Sequence, residues 1–325
     1  MEGDAQVGLH RRTRTVAEVE ELAERYRTWG RWGPDDELGA ANHVTPERIA
    51  TAAGSIRRGA VFSLALPMDR TGPMLGTNGR VNPQHVMLRD GGDVLAAGDD
   101  APDFTVTDDA VYMPLQSSTQ WDALCHILYR GRAYNDRGAD SVTSQGARFN
   151  SVTNLKERAV GRGVLLDVPR LYGRPWLEPG DAIQDDDLRR CAEAQGVEIG
   201  EGDFVLVRTG QLAHCRETGG WGDYAGGAAP GLGVSAAEFL CPRGVAGVAT
   251  DTWGIEVIPY ETPDLPAPLH VVLLVNAGVH IGEMWDMEAL AADCAADGRY
   301  DFFLSAAPLT ITGAVGSPIN PLAIK

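Results

Sequence analysis

The sequence predicts a mixed α/β fold, with one large domain behind an N-terminal helical extension. The chain has 325 residues, 44% of them hydrophobic, which is enough to bury a sizeable core. Short apolar runs of strand character alternate with stretches of helical periodicity. Neither an internal repeat nor a long linker divides the chain. We therefore expect residues 1–58 to form an N-terminal arm and helical extension, and residues 59–325 to form the main domain.

The N-terminal extension carries two helix signals. Residues 1 to about 15 are expected to be a mobile arm, and 16–26 place apolar positions at helical spacing. A loop rich in Gly, Trp and Pro follows over 29–44. Thr45 then offers an N-cap and Pro46 suits a first turn, so a helix is predicted from 46 to about 56.

The main domain mixes short strands with a few helices. An alternating run predicts its first strand over 60–66. Further strands are predicted at 85–89, 163–168, 203–210, 245–251 and 301–313, and helices at 185–195, 234–240 and 286–295.

Charge and cysteine content exclude several classes of function. A net charge of −17 would oppose a nucleic-acid backbone or an anionic membrane surface. Five widely spaced cysteines without a CxxC pair suggest neither a disulfide framework nor a thiolate zinc site. The N-terminus lacks the apolar core of a signal peptide, and no apolar run is long enough to span a bilayer. We expect a cytoplasmic protein with a small-molecule partner.

The densest cluster of reactive side chains lies at 115–135. Asp122 and His126 are four residues apart, so on a helix or helical turn both would face one ligand. Such a pair could share a divalent metal, or could act as a base and its orienting partner. Alternatively, the carboxylate caps a helix and the histidine is half-buried and satisfied by backbone.

This segment resembles the signature H-x-G-T-H-x-D-x-P-x-H of the cyclase family, which includes bacterial kynurenine formamidases and isatin hydrolases. Thr119, Asp122 and His126 match that signature, whereas Gln116 and Gln120 stand where its first two histidines are expected. Ser118 and Leu124 replace its glycine and proline. Further segments resemble the family in the same order: WGPDDELGAANHVTPERI, GRGVLLDV, GDFVLVRTG, ATDTWGIEV, HVVLLVNAGVHIGEMWDMEAL and APLTITGAVGSPINPLAI.

The resemblance implies a metal site built from distant parts of the chain. In metal-dependent relatives the early histidines and the aspartate bind a divalent ion, and a downstream histidine and glutamate complete the site. By position, that downstream pair is His270 and Glu283. A carboxamide is a poor substitute for imidazole toward zinc. Either Zn or Mn is therefore held by Asp122, His126, His270 and Glu283, or no metal is bound.

Several other residues are candidates for substrate binding. Gln116, Thr119 and Gln120 could hydrogen-bond a substrate carbonyl, or could merely stabilise a loop. Aromatic side chains could line a pocket or fill the core, and polar residues beside short apolar runs often lie at strand ends where sites form. Those candidates are Trp121, Tyr129 and Trp253, then His85 and Asn150. The sequence PGLGVSA lacks a complete phosphate-binding loop, so we expect no nucleotide cofactor.

Three functional hypotheses remain open. The first is a hydrolase of a C–N (amide) or lactone bond in a small cyclic or aromatic metabolite, with His126, Asp122 and Glu283 as catalytic residues. Its water is activated by a divalent metal or by His126 directly. The second is a metal-free cyclase, dehydratase or isomerase of a secondary-metabolite intermediate that uses His126 and Asp122 as acid and base. The third is a non-catalytic family member that binds a ligand. The resemblance also implies a swivelling β/β/α domain and a homo-oligomer.

Overall fold

A computed structural model describes residues 9–325 and is built around one mixed sheet of nine strands. In chain order the strands are Val61–Ser63 (β1), Gln120–Asp122 (β2), Val160–Asp167 (β3), Phe204–Arg208 (β4), Gly247–Thr250 (β5), His280–Glu283 (β6), Asp301–Ser305 (β7), Gly316–Pro318 (β8) and Leu322–Ile324 (β9). Their order across the sheet is β1-β9-β7-β3-β4-β5-β6-β2-β8. This architecture confirms the predicted mixed α/β class.

The centre of the sheet is parallel and its flanks are antiparallel. Strands β3, β4, β5 and β6 pair in parallel, whereas β7, β9 and β1 on one side and β2 and β8 on the other pair antiparallel. The carboxyl ends of parallel strands meet at one edge of a sheet, where polar side chains commonly form sites. Strand β6 belongs to this parallel centre and also pairs with the antiparallel β2.

Two hydrophobic cores cover the two faces of the sheet. Along β4, Val205 and Val207 pack into one core, whereas Phe204 and Leu206 pack into the other. This alternation follows from the two-residue period of a strand. Burial on both faces explains why the central strands appear as nearly continuous apolar runs in the sequence.

The helices lie at Val16–Arg25, Pro46–Ala53, Gly91–Ala97, Val168–Leu171, Asp185–Gln195, Gln211–Thr218, Ala236–Leu240, Pro268–His270 and Glu288–Asp297, and a π-helical segment spans Val271–Ala277. Thr15 caps the first helix in a capping box with Glu18, and Thr45 caps the second by accepting a hydrogen bond from the Arg48 amide. The first helix also buries Val19 in the core beneath the sheet. None of the helices within residues 9–325 is long and apolar enough to cross a membrane.

Several elements differ from the sequence-based expectation, and strands β2, β6, β8 and β9 were not predicted. Strand β1 is shorter than predicted, β7 ends at Ser305, and the second helix ends at Ala53. The prediction of a mobile arm is wrong for residues 9–15. The backbone amides of Arg12 and Arg14 donate hydrogen bonds to Glu261 at 2.7 and 2.8 Å and attach this segment to the domain. Residues 1–8 of the predicted arm lie outside the described part of the chain.

Residues 84–112 form a hairpin that lies outside both cores. Its strands are Gln84–Arg89 and Asp108–Tyr112, which pair only with each other within the described chain. No residue between 84 and 112 is buried, and several large apolar side chains are exposed: Leu88, Leu95, Phe104 and Tyr112 at 64, 84, 80 and 72%. A hairpin of this composition has little to stabilise it within its own chain.

Candidate active site

A cluster of acidic and amide side chains forms where β2 pairs with β6. In this antiparallel register Gln120 lies opposite Glu283, and Asp122 lies opposite Ile281. Residues two apart on a strand share a face, so Gln120 and Asp122 point to the same side. The Gln120 amide nitrogen donates to Asp122 Oδ1 at 3.3 Å and to Glu283 Oε2 at 2.9 Å. One carboxamide therefore bridges two buried carboxylates.

His270 joins this cluster from the end of the short helix Pro268–His270. Its Nε2 lies 3.4 Å from Glu283 Oε1 and 4.0 Å from Asp122 Oδ2. On the other side of the ring, Nδ1 lies 2.6 Å from Glu256 Oε1, which also accepts the His270 backbone N–H at 2.9 Å. This contact assigns the proton to Nδ1 and turns Nε2 toward Asp122 and Glu283.

Asp122, His270 and Glu283 have the geometry of a divalent metal site. Each offers one ligand atom, and the three atoms lie within 4.8 Å of one another. Ligand atoms about 2.0–2.2 Å from a shared ion are separated by about 3–4 Å, which the distances from His270 Nε2 meet. Asp122 Oδ2 is buried without a hydrogen-bond partner in the described chain, as expected for an atom that binds a metal ion. The residues present therefore fit a divalent cation.

His126 lies beside this group but is not one of the three. Asp122 and His126 do not share a helix, because Asp122 ends strand β2 and a turn follows in which the His126 amide donates to Ala123 O at 2.8 Å. The turn still brings His126 Nε2 to 3.8 Å from Asp122 Oδ1. The His126 side chain is 18% exposed, against 1% for Asp122. The imidazole is therefore the more solvent-accessible member of the pair.

Burial sets the protonation states of the site. It lowers the pKa of His126 to about 4, so that ring is neutral at pH 7. Burial would also lower the pKa of His270, but hydrogen bonds to Glu256 and Glu283 outweigh it and raise that pKa to about 10. Burial raises the pKa of Asp122 well above its usual value and Glu283 adds to the effect, whereas His270 and Arg80 oppose it. A neutral imidazole thus lies next to a cationic one.

Polar atoms without hydrogen-bond partners within residues 9–325 concentrate around this cluster. Buried polar groups normally have partners, so such a concentration indicates a place for a ligand or water. The unpartnered atoms here are Gln116 Nε2, Ser118 Oγ, Gln120 Oε1, Asp122 Oδ2, His126 Nδ1 and Trp253 Nε1.

Thr119 and Trp121 are tied into the scaffold. The Thr119 hydroxyl donates to Met284 O at 2.5 Å and accepts the Leu66 amide at 2.8 Å, which fixes β2 beside the end of β6. Trp121 points to the opposite face of β2, has no exposed surface, and donates to Ala306 O at 2.8 Å. Trp121 therefore packs the core and does not line a pocket, which corrects the expectation for this side chain.

Three other candidates hydrogen-bond elsewhere. The Tyr129 hydroxyl contacts Glu20 on the first helix. Asn150 is buried and donates to Tyr134 O at 2.8 Å. His85 lies on the exposed hairpin and contacts Asp109 at 2.7 Å. Each of these contacts explains its residue structurally and places it outside the Asp122, His270 and Glu283 group.

Two residues of the site were missed by the sequence analysis. Glu256 is 3% exposed and orients His270. Its position in a polar loop after the strand at 245–251 was the available signal, since such loops carry functional residues. Arg80 approaches the site from a glycine-rich loop, where its Nη1 donates to Gln116 O at 3.3 Å and its guanidinium lies 5.7 Å from the centre of the Trp253 ring. Nothing in the sequence around Arg80 distinguishes it from a solvated arginine.

Comparison with known proteins defines the class to which this fold and site belong. Residues 39–257 match the Cyclase family, described as "Putative cyclase", so the chain belongs to that family. This confirms the resemblance drawn from the signature around Asp122. The match and the relatives below place the chain among hydrolase-like enzymes.

Individual relatives agree with this assignment. A solved structure described as a novel cyclase is 40% identical to this chain, with a TM-score of 0.84, and the alignment covers 93% of this chain and 99% of that one. The isatin hydrolase of Roseibium aggregatum is 26% identical over 212 residues, covering 64% of this chain and 71% of that protein. Isatin hydrolase A from Labrenzia aggregata, bound to benzyl benzoate, shares the fold with a TM-score of 0.57 at 20% identity, covering 84% of this chain and 94% of that one. The cyclase-like fold is thereby confirmed.

Proposed function

We propose that this enzyme hydrolyses a C–N (amide) or lactone bond in a small cyclic or aromatic metabolite. The observation that carries the proposal is the buried Asp122, His270 and Glu283 group with neutral His126 beside it. The isatin hydrolase relatives support the choice of bond, because isatin contains a cyclic amide. A small-molecule substrate is also consistent with the net charge of −17, which disfavours nucleic acid.

Asp122, His270 and Glu283 would hold the divalent metal, whether Zn or Mn. When bound, the ion supplies Lewis acidity toward a carbonyl oxygen and lowers the pKa of water. The protein prepares its ligands beforehand. Glu256 keeps a proton on His270 Nδ1 and directs Nε2, which must lose its own proton to bind the ion, toward Asp122 and Glu283, and the Gln120 amide holds these two carboxylates side by side.

His126 is the residue placed to move a proton. Its ring is neutral at pH 7, it is more exposed than its neighbours, and its Nδ1 has no hydrogen-bond partner in the described chain. A neutral imidazole can take a proton from water as the water attacks a carbonyl, and can return it to the leaving nitrogen or oxygen. Asp122, 3.8 Å from His126 Nε2, stabilises the imidazolium formed in between.

The test combines metal content with turnover. Purified enzyme is analysed for bound Zn and Mn, and hydrolysis of isatin and of a phenyl-substituted lactone is measured for wild type, His270→Ala and His126→Asn. We expect metal in wild type, its loss in His270→Ala, and activity about 10²- to 10⁴-fold lower in His126→Asn with metal retained. His10→Asn is the control, because the His10 side chain is exposed and its backbone carbonyl contacts Gln184 and none of the site residues. Full activity in wild type without bound metal would remove the ion from the proposal.

A second candidate function follows from the amide that bridges the two carboxylates. The Gln120 amide already donates a hydrogen bond to each of the two carboxylates. His126 and Asp122 could therefore act without a cation as the acid and base of a cyclase, dehydratase or isomerase. Activity that survives exhaustive chelation but disappears in His126→Asn would favour this candidate. A purely ligand-binding role is disfavoured, since the family match and the isatin hydrolase relatives support an enzyme.

We also propose that the chain is cytoplasmic and forms a homo-oligomer. The family resemblance supports self-association, and the exposed apolar side chains of the hairpin at 84–112 offer a surface that the same chain leaves uncovered. A second copy of the chain is the occupant we favour for that surface. The test compares the native mass of wild type with that of Leu88→Glu. Leu309→Glu is the control, because it makes the same replacement at a leucine outside the hairpin that is 54% exposed. A monomeric wild type would contradict this proposal.

A further inference from the structure

Three hydrogen-bond donors converge beside the active site without matching acceptors. Arg80 donates one hydrogen bond, to Gln116 O, and forms no ion pair with any acid in residues 9–325. Gln116 Nε2 and Trp253 Nε1 are both buried without a partner within the same residues. Arginine is always charged and its planar fork suits carboxylates. Within residues 9–325 its guanidinium therefore keeps donors available for an acidic group of a ligand.

The contacts of these three residues place them at the rim of the metal-binding group. The Gln116 side chain lies against Gly316, where an added Cβ would come within 2.4 Å of Nε2, and Gly316 pairs with Asp122 across β8 and β2. Trp253 precedes Gly254, which lies near Glu283 Oε1. Arg80 spans the two, with its guanidinium over the Trp253 ring and its Nη1 on the Gln116 carbonyl.

Stacking holds Arg80 in place without neutralising it. A guanidinium over an indole is oriented by the ring while its edge remains free to donate. A ligand that satisfies a guanidinium, an indole N–H and an amide N–H together must offer several acceptor atoms and negative charge. Among small-molecule groups a carboxylate meets both requirements, and charge-assisted pairing with arginine is the strongest form of such recognition.

We propose that Arg80, Trp253 and Gln116 form a carboxylate-binding subsite, and that the substrate carries a carboxylate in addition to the bond that is cleaved. The inference deepens the proposed function and rests on it for the position of that bond. The carboxylate released by hydrolysis arises at Asp122, His270 and Glu283, whereas the subsite lies at the rim of that group, with Gln116 beside Gly316 and Trp253 next to Gly254. It therefore recognises a group that is present before the reaction begins.

Binding of a matched ligand pair tests the subsite without turnover. Benzoate and benzamide have nearly the same shape and differ in charge, and their affinities are measured by calorimetry on chelator-treated protein, so that a carboxylate cannot bind a metal instead. We expect wild type to bind benzoate about 10- to 100-fold more tightly than benzamide. Arg80→Gln should remove that preference, and Arg80→Lys should retain part of it because the charge remains.

Arg243 provides the control variant. Its guanidinium lies 3.9 Å from the centre of the Phe239 ring and donates to a backbone carbonyl at 2.8 Å, so it copies the setting of Arg80 far from the active site. Arg243→Gln should leave the benzoate preference unchanged. Thermal unfolding of each variant shows whether the fold is intact.

Two outcomes would overturn the inference: no preference of wild type for benzoate over benzamide, or an unchanged preference in a folded Arg80→Gln. Inorganic phosphate is included as a competitor, and displacement of benzoate by phosphate at equal concentration would contradict selectivity for a carboxylate. Asp122→Asn separates this inference from the proposed function. That variant should lose hydrolysis yet keep benzoate binding, so failure of one proposal is visible independently of the other.

Discussion

Replacing Glu256 should weaken metal binding although Glu256 does not touch the metal. Its Oε1 accepts two hydrogen bonds from His270, at 2.6 Å from Nδ1 and 2.9 Å from the backbone nitrogen. Loss of such a partner of a metal-binding histidine typically costs 10- to 100-fold in affinity, or about 1.4–2.7 kcal/mol. Glu256→Gln keeps an acceptor and loses the charge, so we expect about 10-fold. Glu256→Ala also loses the acceptor, so we expect about 100-fold.

Protonation of His270 competes with metal binding. Glu256 also helps to raise the pKa of His270 to about 10, so a proton competes with the metal for Nε2. A divalent cation gains more from the nearby carboxylate than a proton does, because its charge is twice as large. The net effect of losing Glu256 is therefore weaker metal binding. Metal uptake by wild type should also release a proton near pH 8, seen as a heat that depends on the buffer.

Calorimetric titration of Zn or Mn into chelator-treated protein measures these affinities. Glu261→Gln is the matched control, because Glu261 is a buried glutamate that accepts the backbone amides of Arg12 and Val234 away from the site. That variant should lose stability but keep its metal affinity. A folded Glu256→Gln that binds metal within twofold of wild type would refute the reasoning.

Three further predictions concern the fold and its assembly. Burial lowers the pKa of His280 from 6.5 to about 4, so the unfolded state is protonated first as pH falls and stability is lost between those values. Denaturant unfolding at pH 7 and pH 4 should therefore show wild type losing about 3 kcal/mol more than His280→Gln; equal losses would contradict the assignment. Gly282→Ala places a Cβ 2.7 Å from Trp285 Nε1 and 2.8 Å from Ala249 Cβ, which should cost about 1–3 kcal/mol in the same assay, whereas Gly91→Ala enters open space and should cost nothing. Leu88→Glu, on the hairpin, should lower the native mass measured by light scattering, and an unchanged mass would show that this surface is not the interface.

The sequence predicted most of the sheet but misjudged the local structure around Asp122. Strands β3, β4 and β5 were found because burial on both faces produces unbroken apolar runs, whereas β6 at His280–Glu283 was not predicted. Gln120–Asp122 is a three-residue strand whose only apolar side chain, Trp121, points into the core, so no periodicity identifies it. A spacing of four residues suits a helix, but a strand followed by a turn satisfies it equally well. The proximity of Asp122 and His126 was therefore expected from a helix or helical turn, whereas in the structure a strand end and the turn after it produce it.

The partners of the site were harder to foresee than its ligands. His270 and Glu283 came from the family resemblance, which fixes positions without any knowledge of contacts. Glu256 acts through a hydrogen bond to a residue 14 positions later in the chain, and Arg80 acts through a carbonyl and an aromatic ring. Neither kind of contact leaves a pattern in a single sequence. Both contacts exist only in the folded structure.

The wide separation of the site residues along the chain has a consequence for assembly. Gln120 and Glu283 are 163 residues apart and meet only when β6 has paired with β2 near the edge of the sheet. Because the ligands are so far apart in the sequence, the unfolded chain should bind the metal only weakly. Metal should thus bind only after the whole sheet has formed. Cation added at 100 times its dissociation constant should then stabilise the native state by about 2.7 kcal/mol.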